Sequence, residues 1–89
     1  MKFIEVSAVW CMSCIIMKNR LEPFKGAISN KCEVITYDAD VDIDEIKKLD
    51  VGEKLPIYIV KNGEEEVGRL VGEKGSKDIE EFLSESGIL

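Results

Sequence analysis

The chain has 89 residues, and its 45% hydrophobic content is enough for one hydrophobic core but not for two. Its 18 Asp and Glu residues outnumber 12 Lys and Arg, and the resulting net charge of -6 repels phosphate backbones and anionic lipid headgroups. Composition therefore predicts a single domain over residues 1–89 and argues against nucleic acid or a membrane as a partner.

The first predicted element is a strand over Lys2 to Val9, a mostly apolar run rich in β-forming residues. Its length and composition suit a strand that is covered on both faces, as in a parallel sheet. Glu5 interrupts the apolar character, so the segment resembles neither a secretory h-region nor a membrane span. We therefore expect a cytoplasmic protein.

A helix is predicted to begin at Cys11 and to weaken near Pro23. Its apolar residues recur at helical spacings, and we expect them to pack in the core: Ile15, Ile16, Met17 and Leu21. Cys32 to Tyr37 reads as the second strand. Because a helix separates the two strands, a right-handed parallel βαβ unit is the expected topology.

A short second helix is predicted after Asp42, which forms a capping-box pattern with Glu45. The two acids also suit the positive N-terminal end of a helix dipole. The residues Ile43, Ile46 and Leu49 are expected to face the core.

Asn62-Gly63 lies between two β-rich runs, Pro56 to Val60 and Glu65 to Val71, which is a strong hairpin signal. The second run carries acidic residues and Arg69, as an exposed edge strand requires. A closing helix is predicted with Ser76 as its N-cap and an end near Gly87. Its apolar face is Ile79, Phe82 and Leu83. The predicted order is βαβαββα.

The three cysteines include a pair, Cys11 and Cys14, at the predicted start of the first helix. Residues three apart in a helix lie on nearly the same face, close enough for reversible disulfide formation. Backbone N–H groups and the dipole at the helix N-terminus stabilise a thiolate at the first of them. The spacing therefore predicts that Cys11 attacks a substrate disulfide and that Cys14 resolves the mixed disulfide.

Two other interpretations of the cysteines were weighed. The same spacing provides half of a zinc site, but the chain has no histidine, so four ligands would require Cys32 with a carboxylate or a second chain. We therefore predict no metal site. Cys32 itself is expected to pack as a small hydrophobic residue, as buried free cysteines commonly do.

The combination of motifs resembles the thioredoxin family over essentially the whole chain. Ala8-Val9-Trp10-Cys11 running into Cys14 is similar to the active-site signature of that family, and Tyr37 to Asp42 is similar to the acidic end of its next parallel strand. Leu55 to Glu64, followed by Leu70-Val71-Gly72, resembles the family's cis-proline strand and hairpin. The resemblance implies an α/β minimal thioredoxin fold, with a four-stranded mixed sheet flanked by three helices.

The resemblance also implies roles for individual residues. Pro56 would be a cis proline beside the two sulfurs, the Leu55 backbone would pair with an extended substrate segment, and Trp10 would form part of the substrate face. Glu5 falls where thioredoxins carry a buried aspartate that moves the proton of the resolving cysteine. A carboxyl on a doubly covered strand should have a raised pKa, which suits a general base for Cys14, although a structural salt bridge is an equal alternative.

The sequence departs from the family in three places. The sequence opens directly at the active-site strand, as in a minimal core without the extra N-terminal strand and helix. Met12-Ser13 replaces the usual Gly-Pro, which leaves the direction of electron flow open. The glutathione-binding pattern of glutaredoxins is missing around Glu53 to Pro56, so no cofactor is predicted.

The sequence thus predicts a monomeric thiol-disulfide oxidoreductase that acts on protein disulfides and receives electrons from an unidentified reductase or other donor. Two alternatives remain open. The dithiol could act as a non-catalytic redox sensor or adaptor that controls the binding of a partner, or Cys11 and Cys14 could bind a metal or cluster between two chains.

Overall fold

The computed structural model describes all residues, 1–89, and has a four-stranded sheet with helices on both faces. The strands are β1 (Lys2–Ser7), β2 (Glu33–Asp38), β3 (Ile57–Asn62) and β4 (Glu65–Val71), and the helices are α1 (Met12–Leu21), α2 (Lys25–Lys31), α3 (Ile43–Lys47) and α4 (Ser76–Glu85). A single 3-10 turn, Glu22–Phe24, joins α1 to α2 at the predicted weak point, Pro23. Together α1 and α2 occupy the place of the first predicted helix, so the predicted fold class and element order are confirmed.

The sheet has the order β2-β1-β3-β4 and is mixed. β1 pairs in parallel with β2 and antiparallel with β3, and β3 pairs antiparallel with β4. The hairpin forms where Asn62-Gly63 predicts it, and Gly63 has a φ of 64°, a conformation that favours glycine. With β2 on one side and β3 on the other, β1 is an inner strand, as its near-continuous apolar run predicts.

Alternate residues of β1 and β3 point to opposite faces of the sheet and form two cores. The larger core lies under α1, α2 and α4 and contains Phe3, Met17, Tyr58 and Val60, with Ile79, Phe82 and Leu83 of the last helix. The smaller core lies on the other face and contains Ile4, Val6, Leu49, Ile57 and Ile59. Glu5 shares the orientation of Phe3 and so belongs to the face under α1.

The two predicted helix caps differ in outcome: Asp42 is the N-cap residue of α3, as predicted, but without a capping-box bond, whereas the prediction of Ser76 as the N-cap of α4 is wrong. The Asp42 side chain makes no capping bond to α3; its Oδ2 instead accepts a hydrogen bond from the backbone N of Asp38 at 2.8 Å. The N-cap of α4 is Gly75, and Ser76 is the first helical residue. At α3 a backbone turn, in which the N–H of Asp42 donates to the carbonyl of Asp38 at 2.8 Å, leads into the helix, and the Asp42 carboxylate closes that turn instead of capping the helix.

Two core assignments are also wrong. Ile43 and Ile15 are about half exposed, at 50% and 51%. α3 has only five residues and contacts the sheet through Ile46 and the following Leu49, which leaves Ile43 outside. α1 buries Cys14, Met17 and Leu21, and this stripe turns Ile15 toward solvent.

None of the helices combines the length and the apolar character that a bilayer crossing requires.

Candidate active site

The two cysteines of the motif lie at the junction between β1 and α1. Cys11 is the N-cap residue of α1, with extended backbone angles of φ -89° and ψ 109°. Its Sγ accepts a hydrogen bond from the backbone N of Cys14 at 3.2 Å, in the position that a capping oxygen normally occupies. The helix N-terminus therefore directs a backbone donor at the Cys11 sulfur, which stabilises negative charge there.

The surroundings of the sulfurs are apolar. Ala8, Cys11 and Cys14 form a small buried cluster, against which Ala39 and Leu55 pack. Both cysteines are free thiols and each is only 7% exposed. Both cysteines are therefore largely shielded from solvent.

The Leu55–Pro56 peptide bond is cis, as the family resemblance implies. Pro56 is buried, and its carbonyl accepts a hydrogen bond from the backbone N of Gly72 at 2.8 Å. Leu55 is thus placed next to the cysteine cluster at the start of β3.

Trp10 lies on the surface beside the motif and is 66% exposed. Its Nε1 donates a hydrogen bond to Asp40 Oδ2 at 2.8 Å, and the backbone N of Asp40 donates to Asp38 Oδ1 at the same distance. The acidic segment after β2 therefore holds the indole in place. Sequence reasoning did not assign this role to Asp40, because only the fold brings the two segments together.

Glu5 lies on β1, half-buried, and lines a surface cleft of about 380 Å³ together with Cys14 and Lys18. Burial raises the pKa of its carboxyl above the ordinary 4.5, as the sequence predicts, while the Tyr58 hydroxyl and the Lys18 ammonium partly oppose the rise. The structure thus brings Glu5 and Cys14 to one cleft. No salt bridge to Glu5 is present.

Cys14 holds its proton more tightly than an ordinary thiol. Burial raises its pKa to about 11, and contact with the Cys11 sulfur and the charge of Glu5 add to the effect. Cys14 therefore keeps its proton at neutral pH and needs a proton acceptor before its sulfur can act as a nucleophile.

The third cysteine is remote from this chemistry. Cys32 lies at the end of α2 and is buried in the larger core, as predicted. Burial raises the pKa of its thiol. Cys32 therefore packs as a hydrophobic side chain.

Several exposed apolar side chains surround the opening to the cysteines. They are Val9, Trp10, Met12 and Ile15, each at least half exposed. On the other side of the motif, Ser13 Oγ contacts Glu73 Oε1 at 3.4 Å, and Arg20 pairs with the same carboxylate at 3.5 Å. The rim is thus apolar at its centre and acidic at two of its edges.

The sequence analysis missed two residues at this site, Lys18 and Tyr58. Both lie near Glu5, Lys18 from α1 and Tyr58 from the neighbouring strand β3. A lysine four residues after Cys14 was a usable signal, since it lies one helical turn further on the same face. No group of three or more His, Cys, Asp or Glu side chains is arranged to bind a metal ion.

Comparison with known proteins agrees with this geometry. The family model described as Thioredoxin matches residues 1–85. The structure of thioredoxin from Trypanosoma brucei brucei is similar, with a TM-score of 0.79 and 20% identity over 93% of this chain and 71% of that chain. Fasciola hepatica thioredoxin gives a TM-score of 0.73 and 23% identity over 94% and 81% of the two chains.

A third similar structure is mitochondrial thioredoxin 3 from Saccharomyces cerevisiae in its oxidized form, with a TM-score of 0.73 and 22% identity over 89% of this chain and 72% of that chain. At these identities the structural likeness establishes the fold. A search of curated protein sequences finds no match.

Proposed function

Because this chain belongs to the thioredoxin family, we propose that it is a thiol-disulfide oxidoreductase that exchanges the Cys11/Cys14 dithiol with disulfides of protein substrates. The observation that carries the proposal is the asymmetry of the pair. Cys11 Sγ receives the backbone N–H of Cys14 at the N-terminus of α1, whereas burial raises the pKa of the Cys14 thiol to about 11.

In the first step the Cys11 thiolate attacks one sulfur of the substrate disulfide. A new S–S bond joins Cys11 to the substrate, the substrate disulfide breaks, and its other sulfur leaves as a thiolate that takes a proton from water. The low exposure of Cys11, 7%, favours substrates that present their disulfide on an extended segment.

In the second step Cys14 resolves the mixed disulfide. Its thiol transfers a proton toward the Glu5 carboxylate in the shared cleft, and its sulfur attacks Cys11. The second substrate sulfur leaves as a thiolate, and a Cys11–Cys14 disulfide remains. The substrate has gained two electrons, which a dithiol donor or reductase must return to the protein.

The remaining assignments of this proposal concern recognition. Trp10, Leu55 and Pro56 form the substrate face, with the Leu55 backbone available to pair with an extended segment. The protein acts as a monomer in a reducing compartment such as the cytoplasm, and it uses neither a cofactor nor a metal. The apolar surroundings of the sulfurs support this assignment of the substrate face.

The direct test is reduction of insulin disulfides with dithiothreitol as the electron donor. We expect Cys11→Ser to abolish catalysis, because the attacking sulfur is lost. Cys32→Ala is the matched control, since it removes a thiol outside the site and should retain activity. Full activity of Cys11→Ser would end the proposal.

A trapping experiment separates an enzyme from a redox sensor. Cys14→Ser leaves Cys11 able to attack but unable to be resolved, so that mixed disulfides accumulate. Capture of many different proteins supports a general oxidoreductase. Capture of a single protein, with no insulin reduction by the wild type, would instead assign the dithiol to control of one partner.

A further inference from the structure

Tyr58 carries one of only two buried side-chain polar atoms in the chain that have no hydrogen-bond partner. The other is Ser86 Oγ, which lies near Gly68 of β4. Buried hydroxyl groups are nearly always paired, since an unpaired one loses its hydration without compensation. The Tyr58 hydroxyl therefore requires an explanation, and its nearest chemistry is the redox site.

The position of Tyr58 opposite Glu5 is set by the sheet. β1 and β3 are antiparallel, and Glu5 is the direct partner of Tyr58 in the register. Side chains of directly opposed residues lie on the same face of a sheet with their Cβ atoms about 5 Å apart. The Tyr58 ring packs against the Phe3 ring at a centroid distance of 5.8 Å, on the face of the sheet that Phe3 and Glu5 share.

We propose that Tyr58 is a positioning residue of the redox centre: its buried hydroxyl, unpaired in the structure, closes a hydrogen bond to the Glu5 carboxylate when that group is ionised and so controls how readily Glu5 accepts the Cys14 proton. The inference rests on the proposed function, and in particular on Glu5 as the proton acceptor. In this proposal Tyr58 acts through Glu5 and not on the substrate.

The electrostatics of both groups agree with this arrangement. Burial and the neighbouring Glu5 charge raise the pKa of Tyr58, so the hydroxyl keeps its proton and remains a donor. Burial raises the pKa of Glu5, and the Tyr58 hydroxyl lowers it. The Tyr58 hydroxyl thus offsets part of the effect of desolvation, which favours the protonated form of Glu5.

Other charged or titratable groups line the two clefts that Glu5 lines. Cys14 and Lys18 belong to α1, and Asp38 and Asp42 lie at the end of β2 and just after it. Glu22 and Lys25 follow α1 and line a second cleft of about 230 Å³, which Glu5 also lines. Lys18 lines both clefts and is the cation that lowers the pKa of Glu5. The Tyr58 hydroxyl is uncharged, so its removal changes no net charge.

The test is Tyr58→Phe, which keeps the ring that packs on Phe3 and removes only the hydroxyl. The Glu5 carboxyl is titrated by carbon NMR in the reduced protein, with its signal assigned by its absence in Glu5→Gln. We expect the Glu5 midpoint to rise by about one pH unit, the effect of losing a hydrogen bond to a charged group. An unchanged midpoint overturns the proposal.

The kinetic consequence is measured in single-turnover insulin reduction with acid quench, which separates the mixed disulfide from the oxidised product. Because Glu5 must be ionised to accept the proton, Tyr58→Phe should shift the acid limb of the resolving step to higher pH by the same amount. A merely structural role of Tyr58 predicts a uniform loss of rate without a shift.

The double variant Tyr58→Phe/Glu5→Gln is the control for coupling between the two residues. Without an ionisable partner, loss of the hydroxyl should leave the pH profile of Glu5→Gln unchanged, and any further shift contradicts the proposal. Failure of the proposed function is a separate result: the wild type would then not reduce insulin at all, whereas the NMR midpoints still decide whether Tyr58 bonds to Glu5.

Discussion

Glu5 is a half-buried carboxyl with a raised pKa, and this has a consequence for stability that is independent of catalysis. The folded state binds the Glu5 proton more tightly than the unfolded state, for which 4.5 is the ordinary value. The stabilising contribution is therefore complete below that value and is lost as the pH rises through the raised pKa.

We predict that Glu5→Gln is more stable than the wild type at neutral pH, and that the difference shrinks toward zero as the pH falls through the Glu5 pKa. Gln keeps the shape of the protonated acid and has no charge to bury. Urea unfolding of the reduced proteins at several pH values measures the difference. A Glu5→Gln variant that is less stable at neutral pH would contradict this assignment.

Glu66 provides a control for Glu5, because its pKa is shifted in the opposite direction. A hydrogen bond from Arg69, at 2.7 Å, lowers the pKa of the Glu66 carboxyl. Its contribution to stability is therefore present above the ordinary pKa and is lost as the pH falls through the lowered one. Because the pair is near the surface, Glu66→Gln should cost about 0.5 kcal/mol at neutral pH and less in acid.

At the scale of single residues, the sequence predicts the positions of the candidate site residues in the fold better than it predicts their contacts. The spacing of Cys11 and Cys14 and the position of Glu5 on a buried strand are local properties of the chain. The Tyr58 partner of Glu5 is not, because Ile57-Tyr58-Ile59 reads as an ordinary buried strand until the β1–β3 register is known. Ile15 was misplaced for a related reason, since helical spacing alone does not show which of two adjacent stripes faces the sheet.

At the scale of elements, strong local sequence signals predict the strands and helices correctly, whereas weak signals do not. The Asn62-Gly63 hairpin and the bounds of β4 follow from turn chemistry and β-forming residues. The sequence does not predict α2 as a separate helix, because Gly26 lowers the helix propensity of Lys25–Lys31. In the structure only one residue of α2, Ile28, is buried. Its helical state depends on packing against the larger core, which no local pattern encodes.

The contact between β4 and α4 depends on the absence of a side chain at Gly68. A Cβ there would lie 2.5 Å from Ser86 Oγ and 3.1 Å from the Phe82 ring. We predict that Gly68→Ala destabilises the fold by about 1–3 kcal/mol, the usual range for overpacking. Chemical unfolding measures the loss, with insulin reduction as a check that the site is retained.

Two further variants test the cause of that loss. Gly26→Ala has nothing within 4 Å of the added Cβ and lies in α2, so it should stabilise the protein by about 0.5–1 kcal/mol. Adding Ser86→Ala to Gly68→Ala removes the nearest clashing atom, whose hydroxyl is unpaired, and should recover part of the stability. If the effects of Gly68→Ala and Ser86→Ala on the free energy of unfolding were strictly additive, the steric explanation would be ruled out.

At the scale of the whole molecule, the net charge is -6, and four of the carboxylates lie close to the proposed redox site. Asp40 binds Trp10 on one side of the motif, and Glu73 contacts Ser13 on the other. Asp38 and Asp42 line the cleft beside Cys14. These four carboxylates outnumber the two cations beside them, Lys18 in the cleft and Arg20 paired with Glu73, so a substrate that approaches Cys11 meets a net negative potential, which attracts cations and repels anions.

We predict that this potential selects small disulfides by charge. At low salt, cystamine, which is cationic, should be reduced about tenfold faster than the anionic dithiodipropionate, with uncharged hydroxyethyl disulfide between them. Each rate is divided by the rate of the same disulfide with free dithiothreitol, which removes differences in intrinsic reactivity. The ratio of the cystamine rate to the dithiodipropionate rate should fall toward one as the salt concentration is raised past about 0.15 M, where the Debye length is about 8 Å.

Asp40→Asn is the variant that tests the source of this preference. Its amide oxygen can still accept the hydrogen bond from Trp10 Nε1, so the indole keeps its support while one carboxylate beside the site is lost. The ratio of cystamine to dithiodipropionate rates should fall, and the rate for the uncharged disulfide should stay the same. A ratio that depends on neither salt nor Asp40 would mean that the apolar rim alone selects the substrate, because apolar contacts of Met12 and Ile15 respond to neither change.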